Sequence, residues 1–194
     1  SCAGHVIKRP PRTLVFAQEP RQALCMHTVR NIFLKQARHH LTAATQNSSL
    51  RVGFMVGSNT WDIVFGDHTS DDFAEHLAAC RFLVSKLRKE FPQVDLYWFS
   101  GLAIHIHKQR PFSTWSSAWA LKYMSHSRVQ ELYRLQTALM AKLKVPVVDL
   151  FEASYLSADM MPDGDARHYD FQFYDQATEW IYPHVSSLNT TPTT

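Results

Sequence analysis

Short, nearly continuous apolar runs alternate along this chain with longer stretches in which apolar residues return every three or four positions. The runs are Thr13 to Ala17 (TLVFA), Leu50 to Val56 (LRVGFMV), Val94 to Ser100 (VDLYWFS) and Val145 to Leu150 (VPVVDL). Each is too short for a helix and rich in β-favouring side chains, so each predicts a strand. The first helix is expected from about Arg21 to Ala44. Pro20 suits its first turn, where the missing N–H would have had no partner, and Leu24, Val29, Ile32, Phe33 and Ala37 share one face. Ser70-Asp71-Asp72 opens the clearest helix, with Ser70 as N-cap and two acids against the positive end of the helix dipole. Phe73, Leu77, Cys80, Val84, Leu87 and Phe91 then recur at steps of three and four until Pro92 ends it. Helices from Arg128 to Lys144 and from Phe171 to His184 complete the pattern. Nearly all-apolar strands separated by helices imply a parallel sheet covered on both faces, a three-layer α/β/α sandwich. The division expected is a polar N-terminal arm over 1–11, one domain over 12–185 and a flexible Thr-rich tail over 186–194.

Ligands of such sheets bind beyond the carboxyl ends of the strands. Those ends carry Gln18-Glu19-Pro20, Gly57-Ser58-Asn59, the segment after Ser100, and Met161-Pro162-Asp163-Gly164-Asp165-Ala166-Arg167-His168-Tyr169. In the last, the spacing Asp165-x-x-His168 lets a carboxylate orient an imidazole as a general base. With 11 His in the chain the spacing alone carries little weight. Its place just before the closing helix is what singles it out. The long connection from Gly101 to Ser127 holds Phe112, Trp115, Trp119 and Tyr123. Such a segment either roofs the core or meets a partner.

Composition narrows the classes. A net charge of +3 without a basic stripe interleaved with aromatics gives no nucleic-acid signature, and no apolar run approaches the roughly 20 residues of a membrane span. Cys2, Cys25 and Cys80 show no paired spacing and are expected as packing residues, which favours a reducing, intracellular compartment over a secretory lumen. The sequons at Asn47 and Asn189 would matter only in such a lumen. His39-His40 and His105-x-His107 have no carboxylate or thiol at matching spacing, so neither metal nor cofactor is expected. Arg88-Lys89 and Lys142 to Lys144 read as solvated helix faces.

The sequence of strand, elbow and helix, then Gly-x-Asn at a strand end, then Asp-x-x-His before the last helix resembles the SGNH/GDSL hydrolase superfamily. Within it, VGFMVGSNTWDI, VDLYWFS and PDGDARHY are similar to segments of the PC-esterase or sialic acid O-acetyltransferase-like branch. The resemblance runs from about Arg12 to His184 and implies a flavodoxin-like sandwich. In that family the first strand ends in Gly-Asp-Ser, whose Ser is the nucleophile and whose N–H joins a Gly and the Asn of Gly-x-Asn in an oxyanion hole. Laid on that pattern, Gln18 stands at the Gly, Glu19 at the Asp and Pro20 at the Ser. Proline has neither a hydroxyl to attack with nor an N–H to hold an oxyanion, so two functions fall at one position. Gly57 and Asn59 match the rest of the oxyanion hole, with Thr60 where an Asp often follows. No second oxyanion Gly is found between the first helix and Leu50. His168 matches the base and Asp165 its orienting partner, with Asp163-Gly164 as an alternative. The expectation is a catalytically inactive SGNH-like domain serving as a structural or binding subunit, meeting other protein subunits through Gly101 to Ser127. The alternative is an active esterase or O-acetyltransferase in which Ser58 or Ser100 replaces the lost nucleophile.

Overall fold

The computed structural model describes residues 6–9, 12–17, 34–46, 51–57, 71–108 and 123–187. Five strands form one sheet in the order of the chain: β1 (Val6–Arg9), β2 (Arg12–Ala17), β3 (Arg51–Gly57), β4 (Asp95–Phe99) and β5 (Val147–Val148). From β2 to β5 all neighbours are parallel, with Ala17 opposite Val56, Gly57 opposite Phe99 and Phe99 opposite Val148. The segment read as an extended arm supplies β1, which pairs antiparallel with β2, Arg9 opposite Arg12. The parallel sheet thus carries an antiparallel edge strand.

Strand order decides where the helices go. Crossovers between parallel strands are right-handed, so a sheet built by stepping always in one direction sends every connecting helix to the same face. Those helices are α1 (Leu34–Thr45), α2 (Asp71–Glu90) and α3 (His126–Lys142). One buried cluster accordingly joins Leu41 of α1, Leu83 of α2 and Met140 of α3 to Phe54 and Trp98 of the sheet. Strand side chains alternate between faces, and Met55, Tyr97 and Val148 point the other way. There they meet Ile181 and Val185 of α5 (Phe171–Ser187), with Ala177 packed alongside. Steps of four along α5 present these residues as a stripe.

Several boundaries move for local reasons. The described part of α1 ends within one residue of the expected position; the elbow at Pro20 and the start of that helix lie outside the described residues. So do Ser70, Trp115, Trp119 and residues 188–194. Helix α3 begins at His126, because Ser125 is its N-cap and accepts the Arg128 N–H at 3.4 Å. Strand β5 is two residues long, yet its bonding runs further: the Trp98 N–H donates to the Pro146 carbonyl and the Ser100 N–H to that of Val148. A short helix that the apolar pattern does not announce, α4 (Phe151–Leu156), follows at once, its Phe151 N–H donating to Asp149 Oδ1 at 3.0 Å. Helix α5 continues to Ser187, into the stretch expected as tail.

The buried face of α2 is broader than its apolar stripe. His76, Ala79 and Leu83 are buried with Cys80, Val84 and Leu87, whereas Phe73 and Leu77 are only partly covered. The Gln136 amide lies 2.7 Å from His76 Nε2, and Cys80 Sγ lies 3.3 Å from the same nitrogen, so a polar contact ties α2 to α3 inside the core. Arg88 is also more than a solvated charge. Its guanidinium donates to the carbonyls of Leu143 and Lys144 at 2.6 and 2.8 Å, where α3 ends in the left-handed turn at Lys144 (φ 52°). Those are carbonyls that a helix C-terminus leaves unpaired. No helix among the described residues is long and apolar enough to cross a membrane.

Candidate active site

The turn before α5 builds the Asp165–His168 pair from local bonds. Gly164 adopts φ 93°, a conformation that glycine takes without a Cβ clash. The Asp165 N–H then donates to the Pro162 carbonyl, and Asp165 Oδ1 accepts the N–H groups of Arg167 and His168 at 2.8 and 3.1 Å. This is the local side-chain capping to which aspartate is suited. It leaves Oδ2 for the imidazole, 2.6 Å from His168 Nδ1. Burial pushes the Asp165 carboxyl upward, but the bonds from the His168 ring and from the two backbone N–H groups outweigh it and hold the group below its ordinary range. Asp165 is therefore the acceptor and Nδ1 the donor, a tautomer assigned from this bonding. In the neutral ring this tautomer puts the lone pair on Nε2, on a side chain 65% exposed. Asp163 is not the orienting residue: its side chain is 84% exposed and lies 3.9 Å from Lys108 Nζ.

The other expected site residues divide into two groups. Gln18, Glu19, Pro20, Ser58, Asn59 and Thr60 lie outside the described residues. Gly57 is described, and its own surroundings account for a glycine. A Cβ there would stand 2.6 Å from the Phe99 carbonyl oxygen and 3.1 Å from Phe99 Cβ, so any side chain would push β3 away from β4. Ser100 is 1% exposed; its hydroxyl oxygen accepts the Leu150 N–H at 2.9 Å, and its N–H continues the ladder to β5. It bridges two backbone segments and faces no open space. Among the described residues no three His, Cys, Asp or Glu side chains converge in a way that would hold a metal ion.

Three buried residues next to the pair were given no part in it by the sequence reading: Tyr169, His105, which was weighed there only as a metal ligand, and Ser154. Tyr169 follows His168 directly, and its hydroxyl lies 3.1 Å from His105 Nε2. The signal that points to it is a tyrosine placed between the candidate base and the helix it introduces. Asp170, the next residue, caps that helix by accepting the Phe173 N–H at 3.0 Å.

The sequence matches no protein-family model and no curated protein. Its fold does match solved structures. The lipase/acylhydrolase from Enterococcus faecalis superposes with a TM-score of 0.55 at 13% identity, over 83% of this chain and 72% of that one. A GDSL-like lipase from Bacteroides thetaiotaomicron gives a TM-score of 0.56 at 14% identity, over 84% and 72% respectively. The chain therefore has the SGNH/GDSL hydrolase fold, an α/β sandwich around a mainly parallel sheet. At this identity the likeness is one of fold.

Proposed function

We propose that this chain is an SGNH-type domain without ester-hydrolysing activity, retained as a structural or binding subunit of a larger protein assembly. The observation that carries the proposal is the sequence Gln18-Glu19-Pro20: laid on the Gly-Asp-Ser pattern that the resemblance implies, it puts a proline at the nucleophile position, and proline brings neither an attacking oxygen nor an oxyanion N–H. Loss of the nucleophile costs such triads on the order of 10⁶ in turnover. Ser100, one of two candidates to replace it, is buried with its hydroxyl engaged by Leu150. Within the stretch 101–127, Ala103, Ile104, His105 and Met124 are buried in this chain's own core, so partner subunits would meet its tryptophans, Trp115 and Trp119, which suit interface cores; the buried free thiol of Cys80 accords with a reducing compartment.

A second reading has one observation in its favour. The Asp165–His168 pair keeps the geometry of an oriented base on a largely exposed side chain, which suits an esterase or O-acetyltransferase whose attacking serine lies elsewhere, Ser58 being the remaining candidate. A fluorophosphonate probe separates the two. The proposal expects no labelled serine; labelling of a single serine that disappears in His168→Ala would establish the second reading instead.

A further inference from the structure

We infer that Tyr169 is the positioning residue of the Asp165–His168 pair, holding His168 in place through a phenol seated among buried backbone carbonyls and closed by His105. Its ring is 5% exposed and stacks on Phe173 with centroids 4.3 Å apart. Its hydroxyl lies 2.6 Å from the Ser154 carbonyl, 3.1 Å from that of Ala103 and 3.1 Å from His105 Nε2.

Proton accounting leaves one arrangement. His105 Nε2 also lies 3.2 Å from the Ser154 carbonyl, which only accepts, so Nε2 carries the hydrogen. The phenol's single proton then goes to carbonyl oxygen, Ser154 being the nearer, and its oxygen accepts from His105. His105 and Ser154 are themselves 5% and 0% exposed. A satisfied polar cluster in so dry a place holds its members to one geometry, since a displaced group would lose a partner without gaining water.

The same segment grips the turn at two further points. The His105 N–H donates to the Ala166 carbonyl at 2.9 Å, and the Gly164 N–H donates to the Lys108 carbonyl at 3.0 Å. Residues 164, 166 and 169 are thus bonded to 103–108 or to its neighbour Ser154. His168 stands between the last two anchors, its backbone fixed on both sides and its ring free to meet Asp165. Neighbouring Cα atoms are only about 3.8 Å apart, so a shift at Tyr169 passes directly to the imidazole.

The test reads the imidazole rather than turnover, so it is independent of whether the domain hydrolyses esters. In ¹⁵N-labelled protein above the titration of the ring, His168 is expected as the Nδ1–H tautomer with a slowly exchanging, downfield Nδ1 proton. Tyr169→Phe keeps the ring stack and removes the hydroxyl. It is expected to populate both tautomers and to speed exchange of that proton by about fivefold or more, the effect of losing one ordinary hydrogen bond. His105→Ala should reproduce the signature with Tyr169 intact, and His105→Gln, whose amide donates, should restore the wild-type signals. Folded Tyr169→Phe or His105→Ala protein with unchanged His168 shifts and exchange would overturn the inference. Should neither variant fold, the wild type still decides: the seat requires a slowly exchanging Tyr169 hydroxyl proton, and fast exchange there rejects it.

Discussion

A Cβ placed on Gly57 would stand 2.6 Å from the carbonyl oxygen of Phe99, the residue paired with it across β3 and β4. The obstacle is backbone, which cannot rotate aside as a side chain tip would. Gly57→Ala should therefore destabilise the domain by about 1–3 kcal/mol, the usual cost of overpacking. Urea unfolding measures it. A midpoint equal to wild type would mean that the strands separate freely at this end, and that the glycine has another reason.

The carboxyl of Asp165 sits below its ordinary range in the folded chain because bonds from His168 and two N–H groups outweigh its burial. A carboxyl depressed by folding adds stability above its unfolded value, about 3.9, and that contribution drains away as pH falls through the folded value. Asp165→Asn keeps an oxygen for the two N–H groups and cannot titrate. Its unfolding midpoint should fall less steeply than wild type between pH 5 and pH 2; parallel curves would show that the pair contributes nothing to acid stability.

The opposite sign applies at high pH. Burial, reinforced by the bonded Asp149 carboxylate, pushes the Tyr133 phenol up to about 12. Burial does the same to Tyr169, also to about 12, against a smaller lowering influence of the Ser154 side chain. Phenols raised by folding favour the protonated native state, so their stability is complete below about pH 10 and is lost as pH rises towards 12. Of the seven tyrosines, these two belong to the late part of a tyrosinate absorbance titration, together with Tyr174, which burial also raises. Tyr133→Phe and Tyr169→Phe should each remove one late step; loss of an early step instead would contradict the assignment.

Arg88 crosses from α2 to the end of α3 and donates to two carbonyls there. Arg88→Ala should lower stability by about 1 kcal/mol, the scale of a cation at a helix C-terminus on an exposed side chain. Thermal unfolding checks it, with Lys89→Ala as the comparison expected to sit near wild type.

What the sequence made legible was whatever is written within a few residues. Strands β2, β3 and β4 stand out because both faces of each are apolar, and α2 because its stripe is long. Asp165 and His168 meet three positions apart, in a turn whose bonds are all local, so spacing and place were enough to find them. Gly57 drew notice for its position at a strand end, but the crowding from Phe99 depends on which strand lies beside it. Helix α4 is six residues long and begins straight after a strand, leaving no room for a period to show. His76 meets Gln136 across 60 positions, and Tyr169 meets Ala103 across 66. Pairings of that span are settled by packing, and one sequence does not announce them.

The one-way march of strands has a consequence for the order of assembly. Helices α1, α2 and α3 can each settle on the growing sheet as its next strand is added, but among the described residues the opposite face, with Met55 and Tyr97, is closed by α5, more than a hundred positions after β3. Contacts so distant along the chain are late and slow to form. The turn bearing Asp165 and His168 leads directly into that helix, so the pair is set in place by the same event that seals the second face.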